Sequence, residues 1–129
     1  MASILVIEDD KTTRTLLEVI FKVEGHTVCT APNGTAGLAL FKARKPDIVF
    51  VDLFMPVKNG IEVIRALAAM NTRACFVAIS GGGPEKRSPQ DFLIFARQAG
   101  AHAALQKPLR KSELLKVVDE LLTSSHHMA

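Results

Sequence analysis

Acids, a hydroxyl and an ammonium each follow a short apolar run in this chain: Glu8, Asp9 and Asp10 after 4–7, Asp52 after 48–51, Ser80 after 76–79 and Lys107 after 103–106. Three adjacent carboxylates repel one another unless something positive compensates. A hard cation such as Mg²⁺ does so, taking one or two carboxylates together with water and substrate oxygens. The same acids also precede a helical pattern from Thr12 and would favour the dipole of a helix beginning there. A carboxylate at Asp52 is costly unless it is paired, metal-bound or open to solvent, and aspartates also act as nucleophiles that form acyl phosphates. Lys107 precedes Pro108 and reads either as a solvated turn lysine or as an ammonium held over a site. Ser80 either caps a turn or hydrogen-bonds a phosphoryl oxygen. An acidic cluster with one cation beside it suggests a divalent metal and a phosphoryl group.

These residues meet only if their apolar runs are neighbouring parallel strands. In an open α/β sheet, ligands bind outside the carboxyl ends of the strands, where the strand order reverses. The chain supplies that pattern, because short β-type runs alternate with longer helical ones. Strands are expected at 4–7, 27–31, 48–53, 74–79 and 103–106, and helices at 12–23, 35–43, 61–70, 89–99 and 112–122. Leu16, Leu17, Ile20 and Phe21 mark the apolar stripe of the first helix, and Gly25 suits its left-handed end. Ile61, Ile64 and Leu67 do the same for the third helix, and Leu114, Leu115, Val118 and Leu121 for the fifth. Met55-Pro56 and Asn59-Gly60 fit a tight loop into the third helix. Five β-α units predict a five-stranded parallel sheet, doubly wound, with helices on both faces.

Composition agrees. At 129 residues and 48% hydrophobic, the chain fits one domain with one core. Seven Phe and no Trp or Tyr leave little for base stacking, so a nucleic-acid surface built on aromatic platforms is disfavoured. The charge of +3 is mild and its sixteen Lys and Arg are scattered, as on a solvated surface. Cys29 and Cys75 read as two buried, reduced thiols. No apolar run approaches membrane-spanning length, and a cytoplasmic location with no membrane partner is expected. Residues 123–129 read as a flexible polar tail beyond a domain of 1–122, with His126 and His127 in it rather than in a metal site.

The ordered set of Ile4-Leu5-Val6-Ile7-Glu8-Asp9-Asp10, Val51-Asp52-Leu53-Phe54-Met55-Pro56 with Asn59-Gly60, Ser80, Gln98-Ala99-Gly100-Ala101 and Lys107-Pro108 resembles the receiver domain of two-component response regulators. That family has a flavodoxin-like (βα)5 fold. The resemblance covers almost the whole chain, from Ser3 to about Leu122. It implies that Asp52 is the phosphoacceptor, taking a phosphoryl group from a sensor histidine kinase or phosphotransfer protein. It further implies Mg²⁺ bound directly by Asp9, through water by Glu8, and by Asp52 and the backbone carbonyl of Phe54. Lys107 would pair with a phosphoryl oxygen, while Ser80 would follow the new phosphate inward and pass the signal to a separate downstream effector. On this reading the protein is a switch rather than an enzyme, and it does not contact nucleic acid directly.

Three features depart from the family or modify its pattern. An aromatic residue usual two positions before the residue preceding the lysine is replaced by Ala104, so a coupled aromatic rotation cannot relay the signal. The segment Gly81-Gly82-Gly83-Pro84-Glu85-Lys86-Arg87-Ser88-Pro89 resembles an extension of about five residues over the usual loop. It reads as a flexible linker or mobile switch loop, since it lacks the Gly-Lys-Ser/Thr ending of a nucleotide-binding loop. Phe54, two residues past the acceptor, stands where the family tunes access of water to the acyl phosphate.

Other classes make different demands on the sequence. A degenerate receiver acting as a phosphorylation-independent scaffold would be expected to have lost an acid or Lys107. A Mg²⁺-dependent aspartyl-phosphate phosphatase would place its nucleophile after the first strand and add a cap. A flavin or nucleotide binder would need a phosphate loop after that strand. Homodimerisation through the last β-α units is common in the family, and the mildly polar helix at 112–122 leaves it open.

Overall fold

The structure, a computed structural model, describes residues 1–55, 59–70, 72–81 and 89–128. The expected alternation is present: β1 Ser3–Ile7, α1 Lys11–Val23, β2 Thr27–Ala31, α2 Gly34–Arg44, β3 Ile48–Asp52, α3 Gly60–Ala68, β4 Cys75–Ser80, α4 Pro89–Ala99, β5 Ala103–Gln106 and α5 Lys111–Met128. The strands form one parallel sheet in the order β2-β1-β3-β4-β5. The order reverses between β1 and β3, so the crevice beyond their carboxyl ends is the place where such a sheet binds ligands.

Side chains alternate across a strand with a period of two, and this assigns the helices to faces. Leu5, Ile7, Val49, Val51, Phe76 and Ala78 pack with Phe41 of α2, Val63, Ile64 and Leu67 of α3 and Ala96 of α4. Ile4, Val6, Ile48, Phe50, Val77 and Ile79 face the other way, against Leu17 and Phe21 of α1 and Leu114 and Val118 of α5. Covered on both faces, β1, β3 and β4 are apolar runs rather than alternating ones.

Helix starts are set by side-chain caps. Asp10, Asn33 and Asn59 accept from the backbone N–H groups of Thr13, Ala36 and Glu62 at 2.9, 2.8 and 3.0 Å. Asn59 thus caps α3, and the Glu62 carboxylate accepts in return from its Nδ2 at 3.0 Å. Gly25 follows α1 with φ +91° and closes it as expected. Two expectations from sequence shift. Cys75 is buried but Cys29, on the edge strand β2, is only half-buried. The stretch 123–128, read as tail, is helical within α5, which runs to Met128. No Gly or Pro follows Leu122 to stop it, and the Thr123 hydroxyl donates back to the Asp119 carbonyl at 2.8 Å. Among the described residues, no helix is long and apolar enough to cross a membrane.

At the amino end of the sheet, the Nδ1 of His102 accepts from the Phe76 N–H at 3.0 Å, and its ring packs against Phe76 at a centroid distance of 5.6 Å. Burial lowers its pKa below the ordinary value. A lowered histidine pKa means that the unfolded chain binds the proton more readily. The contribution is therefore complete above about pH 6.5 and is lost as the pH falls below it. His102→Leu is expected to cost about 1 kcal/mol at pH 7.5 by orphaning the Phe76 N–H. The same change should flatten the fall in Tm between pH 7 and 5, and a slope identical to that of the parent would contradict this role.

Candidate metal and phosphoryl site

Register gathers the chemistry. Ile7 lies opposite Val51, Asp52 opposite Ile79, and Ser80 opposite Gln106. The residues that end or follow β1, β3, β4 and β5 therefore stand in one row at the carboxyl edge. Glu8 is fully buried, Asp52 is 3% exposed and Ser80 2% exposed, while Asp9 faces solvent. One carboxylate oxygen from each of Glu8, Asp9 and Asp52 lies within 4.8 Å of the others.

Asp10 separates from this group. Its carboxylate accepts from both the N–H and the hydroxyl of Thr13, the latter at 2.6 Å, and these bonds hold its pKa below the usual carboxylate value. Of the two readings open for the acidic triad, the helix-cap one therefore applies to Asp10 and the cluster one to Glu8 and Asp9. The turn between β1 and α1 is pinned by Arg14, whose guanidinium donates to the Glu8 carbonyl at 2.8 Å. Nothing in the sequence singles this arginine out, because its partner is a backbone oxygen.

The carboxylate of Asp52 accepts from the Phe54 N–H at 3.1 Å and lies 4.0 Å from Lys107 Nζ. Burial first, and then the adjacent Glu8 carboxylate, push its pKa up to about 8, against the opposing pull of the Phe54 N–H and Lys107. Lys107 is closer to Glu8, at 3.0 Å from Oε1. That contact is an ion pair without hydrogen-bond alignment, so Glu8 Oε1 is left buried and lacking a hydrogen-bond donor. Burial disfavours the Lys107 ammonium, but Glu8, Asp52 and Asp10 outweigh it and raise its pKa. The peptide between Lys107 and Pro108 is cis.

Two glycines make room for this arrangement. A Cβ on Gly81 would come within 2.6 Å of Lys107 Cβ and Cγ, so the lysine stem runs across the Gly81 backbone. A Cβ on Gly60 would meet the Asp52 carbonyl oxygen and come within 2.6 Å of Leu53 Cα. The start of α3 thus rests directly on the backbone of Asp52 and Leu53. Phe54 is half-buried against the α2, α3 and α4 side of the core, and Ala104 on β5 packs on the same side. Of the glycine-rich segment, residues 82–88 lie outside those described, as do Pro56, Val57 and Lys58.

The donor set fits a hard divalent cation. It has three carboxylates at the carboxyl ends of two adjacent strands, a buried carboxylate oxygen without a hydrogen-bond donor, and an aspartate pushed toward its neutral form by burial and a neighbouring acid. Glu8, Asp9 and Asp52 are the side chains that would hold it.

Fold and site together define a receiver. The family model of the response regulator receiver domain matches residues 4–119, and the chain belongs to that family. It is 30% identical over 122 residues to Protein PilH of Pseudomonas aeruginosa, covering 95% of this chain and 98% of that protein. With the chemotaxis protein CheY of Halobacterium salinarum it shares 26% over 121 residues, covering 94% and 97%. The response regulator receiver domain protein of Clostridium thermocellum superposes with a TM-score of 0.90 at 25% identity over the whole of both chains. NtrX of Brucella abortus gives 0.89 at 27%, over 98% of this chain but 28% of the longer one.

Proposed function

We propose that this receiver is a two-component signalling switch that accepts a phosphoryl group on Asp52 from a sensor histidine kinase or phosphotransfer protein, with Mg²⁺ held at the adjacent carboxylates. The observation that carries the reading is the placement of Asp52. It is a buried carboxylate at the strand crossover, 4.0 Å from an ammonium and within 4.8 Å of the Glu8 and Asp9 donors. Asp9, Asp52 and the Phe54 carbonyl are the direct ligands in this reading, and Glu8 acts through water. When bound, Mg²⁺ supplies positive charge that neutralises the oxygens of the transferring group.

The protein's own part is positioning and charge. The Asp52 carboxylate attacks the phosphorus of a phosphohistidine, the new O–P bond forms as the P–N bond breaks, and the imidazole leaves. The Phe54 N–H holds one carboxylate oxygen in place and leaves the other for the attack. Lys107 exchanges part of its contact with Glu8 for a phosphoryl oxygen. Ser80, buried beside it, donates its hydroxyl to the new group and draws in the segment that follows β4. Because Ala104 has no ring to rotate, the signal leaves through that segment and α4, where Ile94 and Phe95 are exposed. The switch occupies residues 1–122, acts in the cytoplasm and works on a separate effector. Homodimerisation would be a second mode of output.

Intact mass after incubation with acetyl phosphate tests this reading. A labile adduct that needs both Mg²⁺ and Asp52 is expected. The absence of an adduct from folded protein across several donors would favour the scaffold alternative, and turnover of an external phosphate ester would favour a phosphatase. Phe54→Ala should shorten the lifetime of the adduct several-fold by opening a path for water. An unchanged lifetime would remove Phe54 as a shield.

A further inference from the structure

We propose that the amino-terminal end of the sheet carries a second ligand site, for a small organic anion with a planar apolar body and a phosphate monoester. A cavity of about 660 Å³ opens there, within the range of about 300–1,000 Å³ typical of small-molecule sites. It lies at the opposite end of β3 from Asp52, so it shares no residue with the phosphoryl site. Phe41, Met70 and Leu122 give it apolar walls, while Lys42, Lys45 and Arg73 line it with cations.

These cations are not engaged elsewhere, since none of the three makes an ion pair among the described residues. The one acid in the lining, Asp47, already accepts from the Ser3 N–H at 2.8 Å. The cavity is therefore left with a surplus of two positive charges beside apolar walls. A phosphate monoester dianion attached to a ring complements both features.

A purely structural role accounts for part of this set. Lys42 lies in the last turn of α2, where a cation favours the helix dipole. That explanation does not reach Arg73, which belongs to no helix, or the backbone of Lys45. Lys45 ends α2 in the left-handed conformation, with φ 49° and ψ 59°, the only non-glycine residue with positive φ among those described. Glycine is the usual residue there, because a side chain in this conformation carries a steric cost. The fold alone would be better served by glycine, and the lysine places an ammonium at the cavity instead.

The two roles make opposite predictions for Lys45→Gly, and backbone amide NMR on the full chain without Mg²⁺ separates them. Titration with adenosine monophosphate should give saturable shifts concentrated at residues 42–47 and 72–75. Adenosine and inorganic phosphate, each lacking half of the ligand, should bind at least about tenfold more weakly. Lys45→Gly should raise Tm and weaken binding about threefold, and Arg73→Gln should weaken it similarly without the gain in Tm. No saturable shift with the nucleotide, equal binding of adenosine, unchanged affinity in both variants, or shifts centred on residues 8–10 and 52 would each overturn the proposal. The outcome is independent of whether Asp52 accepts phosphate.

Discussion

Asp52→Asn should yield a more stable protein in the absence of metal, by about 1–3 kcal/mol at pH 8, and one that takes up no phosphoryl group. The physical reason is the buried charge. Asp52 is 3% exposed, and burial with the adjacent Glu8 carboxylate raises its pKa to about 8. In the unfolded chain the same group ionises near pH 3.9. Between those values the native state holds a proton that the unfolded state has released, so stability falls as the pH rises from about 4 to 8. An amide keeps an oxygen to accept from the Phe54 N–H and carries no charge to repel Glu8. The gain from the substitution should therefore shrink toward zero at pH 4–5. Urea denaturation of both proteins across this range gives the test. A variant less stable than the parent at pH 8 would mean that Asp52 is held as a satisfied, paired anion instead. Millimolar Mg²⁺ should narrow the difference by raising the Tm of the parent more than that of the variant.

The second large effect is expected at a residue with no chemistry of its own. Gly60→Ala should destabilise the fold by roughly 2 kcal/mol and slow phosphoryl uptake. Alanine is the better helix former by about 1 kcal/mol, but the added Cβ would collide with the Asp52 carbonyl oxygen and lie 2.6 Å from Leu53 Cα. Both obstacles are backbone, which cannot rotate aside as a side chain can. Either α3 lifts away, breaking the bond in which Gly60 N–H donates to the Leu53 carbonyl at 3.0 Å, or the end of β3 shifts and moves Asp52. Overpacking of this kind costs about 1–3 kcal/mol or more. Denaturant midpoints and the initial rate of adduct formation should fall together. Loss of stability with an unchanged rate would show that α3 yields and the acceptor stays in place.

Much of this architecture was legible in the residues. The apolar runs of β1, β3 and β4 announce strands buried on both faces, and the ranges of β2, α4 and β5 coincide with those expected. That the acids, Ser80 and Lys107 meet at one edge of the sheet was legible because each ends or follows an apolar run that reads as a parallel strand. What sequence left open depended on three-dimensional partners. Asp10 and Asp9 are chemically identical neighbours, and only the position of Thr13 makes one a cap while the other faces the cluster. The closer partner of Lys107 is Glu8 rather than Asp52. Gly60 and Gly81 matter through the backbone and lysine stem they touch, and no pattern of types reveals that. The far end of α5 was missed because Thr, Ser and His carry no apolar stripe to mark a helix, yet nothing there interrupts one.

On the proposed function, Asp52 itself carries the phosphoryl group. Peptide mass mapping after treatment with acetyl phosphate and Mg²⁺, followed by hydride reduction of the acyl phosphate to an alcohol, tests it most directly. A single reduced site is expected at Asp52, absent without the donor and absent without Mg²⁺. Reduction at Asp9, at Glu8 or at no carboxylate, in protein shown to be folded, would contradict it.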